Sequence, residues 1–299
     1  MSSSYFQRLE SSIAGVAAKL SAKGVESHRL AFGGQGSKPT KKPRVPTDAR
    51  SEFLANRAMG DWAERTLAIT ITNTLPAWKV IQYGDSATVA AGHPGFKARY
   101  LLGLEDTRQF GKRPDLLLFP AEFDVDKNLS ERGHLETESI VKQAISAIEV
   151  RSSKFDALKY IAVRQKQRSD GDKTGRETPS FTVKVEDLVI AYRWMERYCV
   201  PQSYFQVFFD SIFAINFLNI FEIIATEAKL LIEKPAKSQE KATIMIPITR
   251  GTQVGKATSL PTFAAEHHVT KLGRHDAYVV PQGGGFELDA EAMKKVLLP

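Results

Sequence analysis

Two short apolar runs, each carrying a single acid, constrain this chain more than anything else in it. One is Pro114-Asp115 followed by Leu116, Leu117, Leu118 and Phe119; the other is Ala147-Ile148-Glu149-Val150-Arg151. Short apolar runs bounded by polar segments read as buried strands. A carboxylate in such a strand is paired or metal-bound, because an unpaired buried charge is costly or is neutralised by a shift of its pKa. Two strands that each bring one acid to an apolar edge point to one shared divalent-cation site. Mg2+ suits it, being held by a couple of carboxylates together with waters and phosphate oxygens.

Pro-Asp, followed 34 residues later by Glu-x-Arg, resembles the signature of the PD-(D/E)xK nuclease superfamily. Three further stretches, GDWAE (60–64), EVRSSKF (149–155) and 180–210, with SFTVKVEDL and RWMERYCVPQSYFQVFFD, resemble the AccI-like type II restriction endonucleases. The resemblance covers roughly Asp61 to Phe217. It implies an α/β fold of the α+β kind: an αβββαβ core with a mixed central sheet flanked by helices. It also implies Mg2+ held by Asp115, Glu149 and the Val150 carbonyl, with Glu64 as a third carboxylate pointing from its helix toward the pocket. Arg151, on the same strand face as Glu149, would hold the scissile phosphate. One departure matters. The superfamily usually has Lys at the place of Arg151, and a guanidinium cannot give up a proton at working pH. The missing lysine is expected from Lys154, Lys159 or Lys184. Lys184 is preferred, since the polar face of a neighbouring strand can turn into the site, and Lys154 is next.

The 299 residues, 42% apolar and 25% charged, are ordinary for a globular protein of one large domain. A net charge of +7 fits a polyanionic partner or merely a soluble surface. The single cysteine, Cys199, excludes an internal disulfide, fits a reducing cytosol, and is expected to be a packed thiol on the apolar side of a helix. The polar start MSSSYFQRLESS lacks the apolar core of a signal peptide. The most apolar run, Tyr204–Ile224, is broken by Asp210, Asn216, Asn219 and Glu222, which argues against a membrane span.

Along the chain, Leu9, Ile13, Val16 and Leu20 mark an amphipathic helix over Phe6–Lys23. The segment 33–46, GGQGSKPTKKPRVP, reads as a basic arm whose Lys41, Lys42 and Arg44 lie along phosphates, or as a plain linker. The core elements are expected at 51–69 (helix, with Phe53, Ala58, Trp62 and Ala63 inside), 78–83, 114–119, 147–151 (strands), 187–199 (helix capped by Asp187) and 204–209 (strand). An additional helix, Phe155–Gln167, ends in Arg164, Lys166 and Arg168. The loop 169–179 follows it. Beyond Glu233, short strands alternate with loops holding Arg250, Gln253, Lys256, His267, His268, Lys271 and Arg274. These side chains are candidates for contacts with DNA. His267-His268 lacks metal-ligand spacing, and the glycines at 283–285 read as a turn.

The expected organisation is therefore an N-terminal helix and arm (1–50), a nuclease core (51–233) and a C-terminal extension (234–299) packed on the same domain. The expected function is that of a Mg2+-dependent type II restriction endonuclease of a prokaryotic cytoplasm, cutting double-stranded DNA as a homodimer. A cognate DNA methyltransferase would be its functional partner, with no membrane involved. The alternatives are a structure-selective repair or recombination nuclease on the same core, and a DNA-binding protein without catalysis.

Overall fold

A strand whose every residue is apolar needs cover on both faces. Leu116, Leu117, Leu118 and Phe119 are all buried, and successive side chains enter two separate hydrophobic clusters. The computed structural model describes residues 2–33, 45, 51–84, 91, 94–172, 174–233, 242–270 and 272–299.

The chain opens with helix α1 (Ser2–Ala22) and continues through α2 (Ser51–Thr74), β1 (Trp78–Gln82), α3 (Phe96–Phe110), β2 (Leu116–Pro120), α4 (His134–Val141) and β3 (Ser146–Ser152). Next come α5 (Ala157–Ser169), β4 (Ser180–Lys184), α6 (Val185–Tyr198), β5 (Gln202–Val207), β6 (Ser211–Asn216) and α7 (Phe217–Thr226). The last part holds β7 (Leu231–Glu233), β8 (Thr243–Pro247), β9 (Thr252–Ser259), β10 (Thr262–Val269), β11 (His275–Gln282), β12 (Gly285–Leu288) and α8 (Ala290–Leu297).

Seven strands form one mixed sheet in the order β1-β2-β3-β5-β6-β9-β12. Its neighbours are antiparallel except β3 and β5, which run parallel and are joined by the crossover through α5, β4 and α6. The expected sequence of helix, three strands, helix and strand is thus present, with α3, α4, α5 and β4 as additions. On one face, Leu117 and Phe119 pack with Leu9, Val16 and Leu20 of α1, Trp194 and Met195 of α6, and Ile220 and Phe221 of α7. On the other, Leu116 and Leu118 meet Trp62, Ala63 and Leu67 of α2 and Met293 and Val296 of α8. Among the described residues no helix is long and apolar enough to cross a membrane.

Several local expectations are corrected. Phe53 is exposed, since α2 turns its apolar stripe at Met59, Trp62, Ala63 and Leu67 toward the sheet. Cys199 is not packed. It is exposed at the end of α6 with a left-handed φ of 54°, which swings its side chain off the helix's apolar stripe. Asp187 lies in the first turn of α6 rather than at its cap, which is Lys184. Gln253 and Lys256 sit in strand β9 of the main sheet and His267 and His268 in β10, none of them in a loop. The glycine turn is as read: Gly283 and Gly284 have φ of 61° and 81°, and the Trp62 indole N–H donates to Gly283 O at 2.8 Å.

Candidate active site

The hydrogen-bonded ladder between β2 and β3 ends at the pair Leu116 and Ile148. Beyond it, Asp115 substitutes its side chain: Oδ2 accepts the Val150 N–H at 2.6 Å. The Asp115 carbonyl accepts the N–H groups of Tyr83 and Gly84, at 2.9 and 3.0 Å, so the acid is held by main chain from both sides. A Cβ at Gly84 would lie 2.9 Å from Asp115 Cα and 3.1 Å from its Oδ1, so glycine keeps that oxygen clear.

Glu149 occupies the middle of β3, between Ile148 and Val150, which face the α2 cluster. With a period of two its side chain points to the opposite face, alongside Arg151. It is only 3% exposed. Its Oε1 takes the Lys112 ammonium and, at 3.0 Å, Arg151 Nη2. Its Oε2 is buried with no hydrogen-bond partner. Arg151 Nη2 also donates to Asp187 Oδ2 at 2.7 Å. Two residues of β5 lie level with this pair, Tyr204 beside Glu149 and Gln206 beside Arg151. Gln206 is 2% exposed, donates from Nε2 to Ser153 Oγ at 2.6 Å, and leaves Oε1 without a partner.

Acid outnumbers base here. Burial first, and then the charge of Glu149, push the Asp115 carboxyl up to about 7. Glu64, half-buried on α2, is pushed up to about 8 by burial and then by Asp115, Asp61 and Glu149. Burial is the largest influence on the Lys112 ammonium and works to lower it, but Glu149, Asp115 and Asp187 together outweigh it and hold the group above its ordinary value. Burial likewise opposes the Arg151 charge, which Glu149, Tyr204 and Asp187 together stabilise. Four carboxyls against two cations, with two of the acids raised into the neutral range, make a pocket in which one more positive charge is favourable.

A divalent cation fits that demand on the donors present. The orphaned Oε2 of Glu149 is an acceptor oxygen without a donor, and glycine at position 84 leaves room beside Oδ1 of Asp115. Among the described residues no group of three or more His, Cys, Asp and Glu side chains is arranged to hold an ion by itself. Two carboxylates suffice for Mg2+, which retains several of its waters. Val150 contributes its N–H to Asp115.

The other expected residues lie elsewhere. Asp61, one turn before Glu64 on α2, is exposed and pairs with Arg57 at 3.8 Å. Lys184 ends β4, in a separate three-stranded sheet, with its side chain exposed. Lys154 and Lys159 are exposed beside Phe155, Tyr160 and Val163. The lysine found on Glu149 is Lys112, which the sequence reading did not place at the site, nor Gln206, nor Asp187, which it read as a helix cap. The one local signal for Lys112 was a place in GKRPD, three residues ahead of Asp115.

Of the candidates for DNA contact, Lys41, Lys42, Arg44 and Lys271 lie outside the described residues. Arg164 donates to Arg176 O at 3.1 Å and pairs with Asp172 at 3.6 Å, while Arg168 pairs with Glu177 at 2.9 Å. Both tie down the loop after α5, and Lys166 is exposed between them. Arg250 pairs with Glu227, and Arg274 pairs with Asp276 at 3.2 Å. Gln253 and Lys256 are exposed on β9. A cleft of about 1100 Å3 runs between α2 and the β10–β11 hairpin, with Arg57, Trp62, Arg65 and Gln282 in its wall; Asp115, Glu149 and Lys112 do not line it.

No curated protein and no solved structure matches the chain. A family model described as AccI restriction endonuclease matches residues 23–174 and 164–298. Those spans take in β2, β3, α6 and β5, and with them every side chain of the carboxylate cluster. The chain belongs to the AccI restriction endonuclease family.

Proposed function

We propose that this protein is a type II restriction endonuclease of the PD-(D/E)xK kind, which makes Mg2+-dependent double-strand cuts at a short specific sequence in DNA. The reading rests on one observation above others: two acids from neighbouring strands are bound together by the Asp115–Val150 hydrogen bond, and Glu149 Oε2 is buried without a partner. Asp115 and Glu149 would hold the cation, with Glu64 and the Val150 carbonyl as candidate further oxygens. When bound, the cation supplies positive charge against the scissile phosphoryl group.

The protein's own groups do the rest. Arg151, fixed between Glu149 and Asp187, presents a permanent positive charge to a phosphate oxygen. In the reaction a water oxygen bonds to phosphorus and gives up a proton, while the bond to one ester oxygen breaks and that oxygen takes up a proton.

Residues 51–233 form the catalytic core in this reading. Residues 234–299, whose β9 and β12 continue the main sheet, extend it toward DNA. The net charge of +7 suits a polyanion. The protein would act as a homodimer in a prokaryotic cytoplasm, since two-fold DNA symmetry is met most simply by a two-fold protein. A partner methyltransferase would protect the host sites. Incubating the protein with Mg2+ and a long duplex tests this: discrete fragments are expected. Cutting confined to junctions or flaps, or a mobility shift without cutting, would overturn it.

A further inference from the structure

We infer that Lys112 is the lysine missing from the Glu149–Arg151 strand: it holds Glu149 while the site lacks its cation, and moves to a nonbridging oxygen of the scissile phosphate when a cation arrives. This rests on the nuclease reading.

The main chain at Lys112 is fixed on both sides. Its N–H donates to Ile190 O of α6 at 3.1 Å. Gly111 has a φ of 87°, and a Cβ there would lie 2.5 Å from both Ile190 O and Trp194 N, so only glycine lets the segment lie this close to the helix. On the other side Arg113 is buried, donating to Arg132 O at 2.7 Å with its guanidinium 4.9 Å from the centre of the Tyr83 ring. The segment therefore delivers the ammonium to one place, on Glu149 Oε1 and within the field of Asp115.

Arg151 cannot take this part. It is shared between Glu149 and Asp187, and its planar fork stays where both carboxylates hold it. Lys112 carries a compact charge on a flexible stem and touches one carboxylate oxygen, so it can be exchanged. An ion held by Asp115 and by Glu149 through its other oxygen would repel the ammonium from Oε1. Its side chain is 30% exposed, which leaves a way out toward substrate.

The test uses the full protein with Lys112→Met. Removing the competing ammonium should tighten Ca2+ binding to the DNA-free protein by about tenfold, read by calorimetry. The same variant should cut a long duplex in Mg2+ at least about a hundredfold more slowly than the parent. A merely structural lysine would not move the two readouts in opposite directions. Unchanged or weaker Ca2+ binding overturns the inference, as does cutting within about threefold of the parent. If Lys112→Met does not fold, Lys112→Gln gives the same two readings. A parent protein that cuts no DNA in Mg2+ or Mn2+ would sink the nuclease reading itself. A parent that cuts, together with a Lys112 variant that cuts equally well, would sink this inference alone.

Discussion

The Asp115 carboxylate accepts the Val150 N–H at 2.6 Å, which places the acid ahead of β2 directly against the residue that follows Glu149. Two carboxylates so placed act as one unit, and removing either charge should remove the cation. Asp115→Asn and Glu149→Gln are each expected to lower cleavage by roughly a thousandfold while DNA affinity in Ca2+-free buffer stays within about threefold. Fragment analysis and a mobility-shift titration check the two halves. Retained cutting in either variant would remove the proposed site.

Gly111 makes a second, independent demand. Its φ of 87° and the 2.5 Å approach to α6 leave no room for a methyl group. Gly111→Ala should destabilise the fold by roughly 2–4 kcal/mol, combining the strained backbone with the displaced helix contact. Urea unfolding followed by circular dichroism measures this, and a loss under 1 kcal/mol, about the cost of the dihedral angle alone, would show that α6 gives way freely.

His134 should govern part of the acid response. It is buried, stacks on Phe110 at 4.7 Å between ring centres, and has Nδ1 3.1 Å from the Tyr198 hydroxyl. Burial, then the charges of Arg113 and Arg197, push its pKa down to about 3. The unfolded chain, with a histidine near 6.5, binds the proton more readily, so this contribution is fully present above that pH and is lost as pH falls toward 3. The raised Asp115 and Glu64 carboxyls work the other way as pH falls, so the check is a difference: in thermal melts between pH 7 and 4, His134→Gln should gain stability relative to the parent as pH falls. Parallel slopes in the two proteins would contradict the assignment.

On α5, neighbouring cations should behave differently. Lys166 is exposed, whereas Arg164 is engaged with Asp172 and Arg176. Lys166→Ala should reduce the salt dependence of DNA binding by about one counterion without changing stability, if this helix lies on phosphates. Arg164→Ala should instead lower the melting temperature by loosening the loop after the helix. Affinity measured from 50 to 200 mM salt separates the two.

Much of the architecture was legible because its signals are local. The spacing of Leu9, Val16 and Leu20 marks α1, and the unbroken apolar runs around Leu117 and Phe205 mark strands covered on both faces. That each of the two acids would need a partner was legible too, since charge in an apolar strand is costly alone; Asp115 finds the Val150 N–H and Glu149 finds Lys112 and Arg151. Cys199 was misread because a single left-handed residue at a helix end leaves no trace in the apolar period. The merging of β9 and β12 into the main sheet was hidden as well, since strand pairing at long separation has no periodic mark.

The sequence by itself determined the elements, the two acids and the absence of a lysine after Glu149. Only the tertiary structure decided what stands in that lysine's stead. Lys112 meets Glu149 across 37 residues because Gly111 fits against α6, and Arg151 is drawn aside by Asp187 from that same helix. Such contacts depend on how helix and sheet are stacked, and no pattern along the chain encodes them.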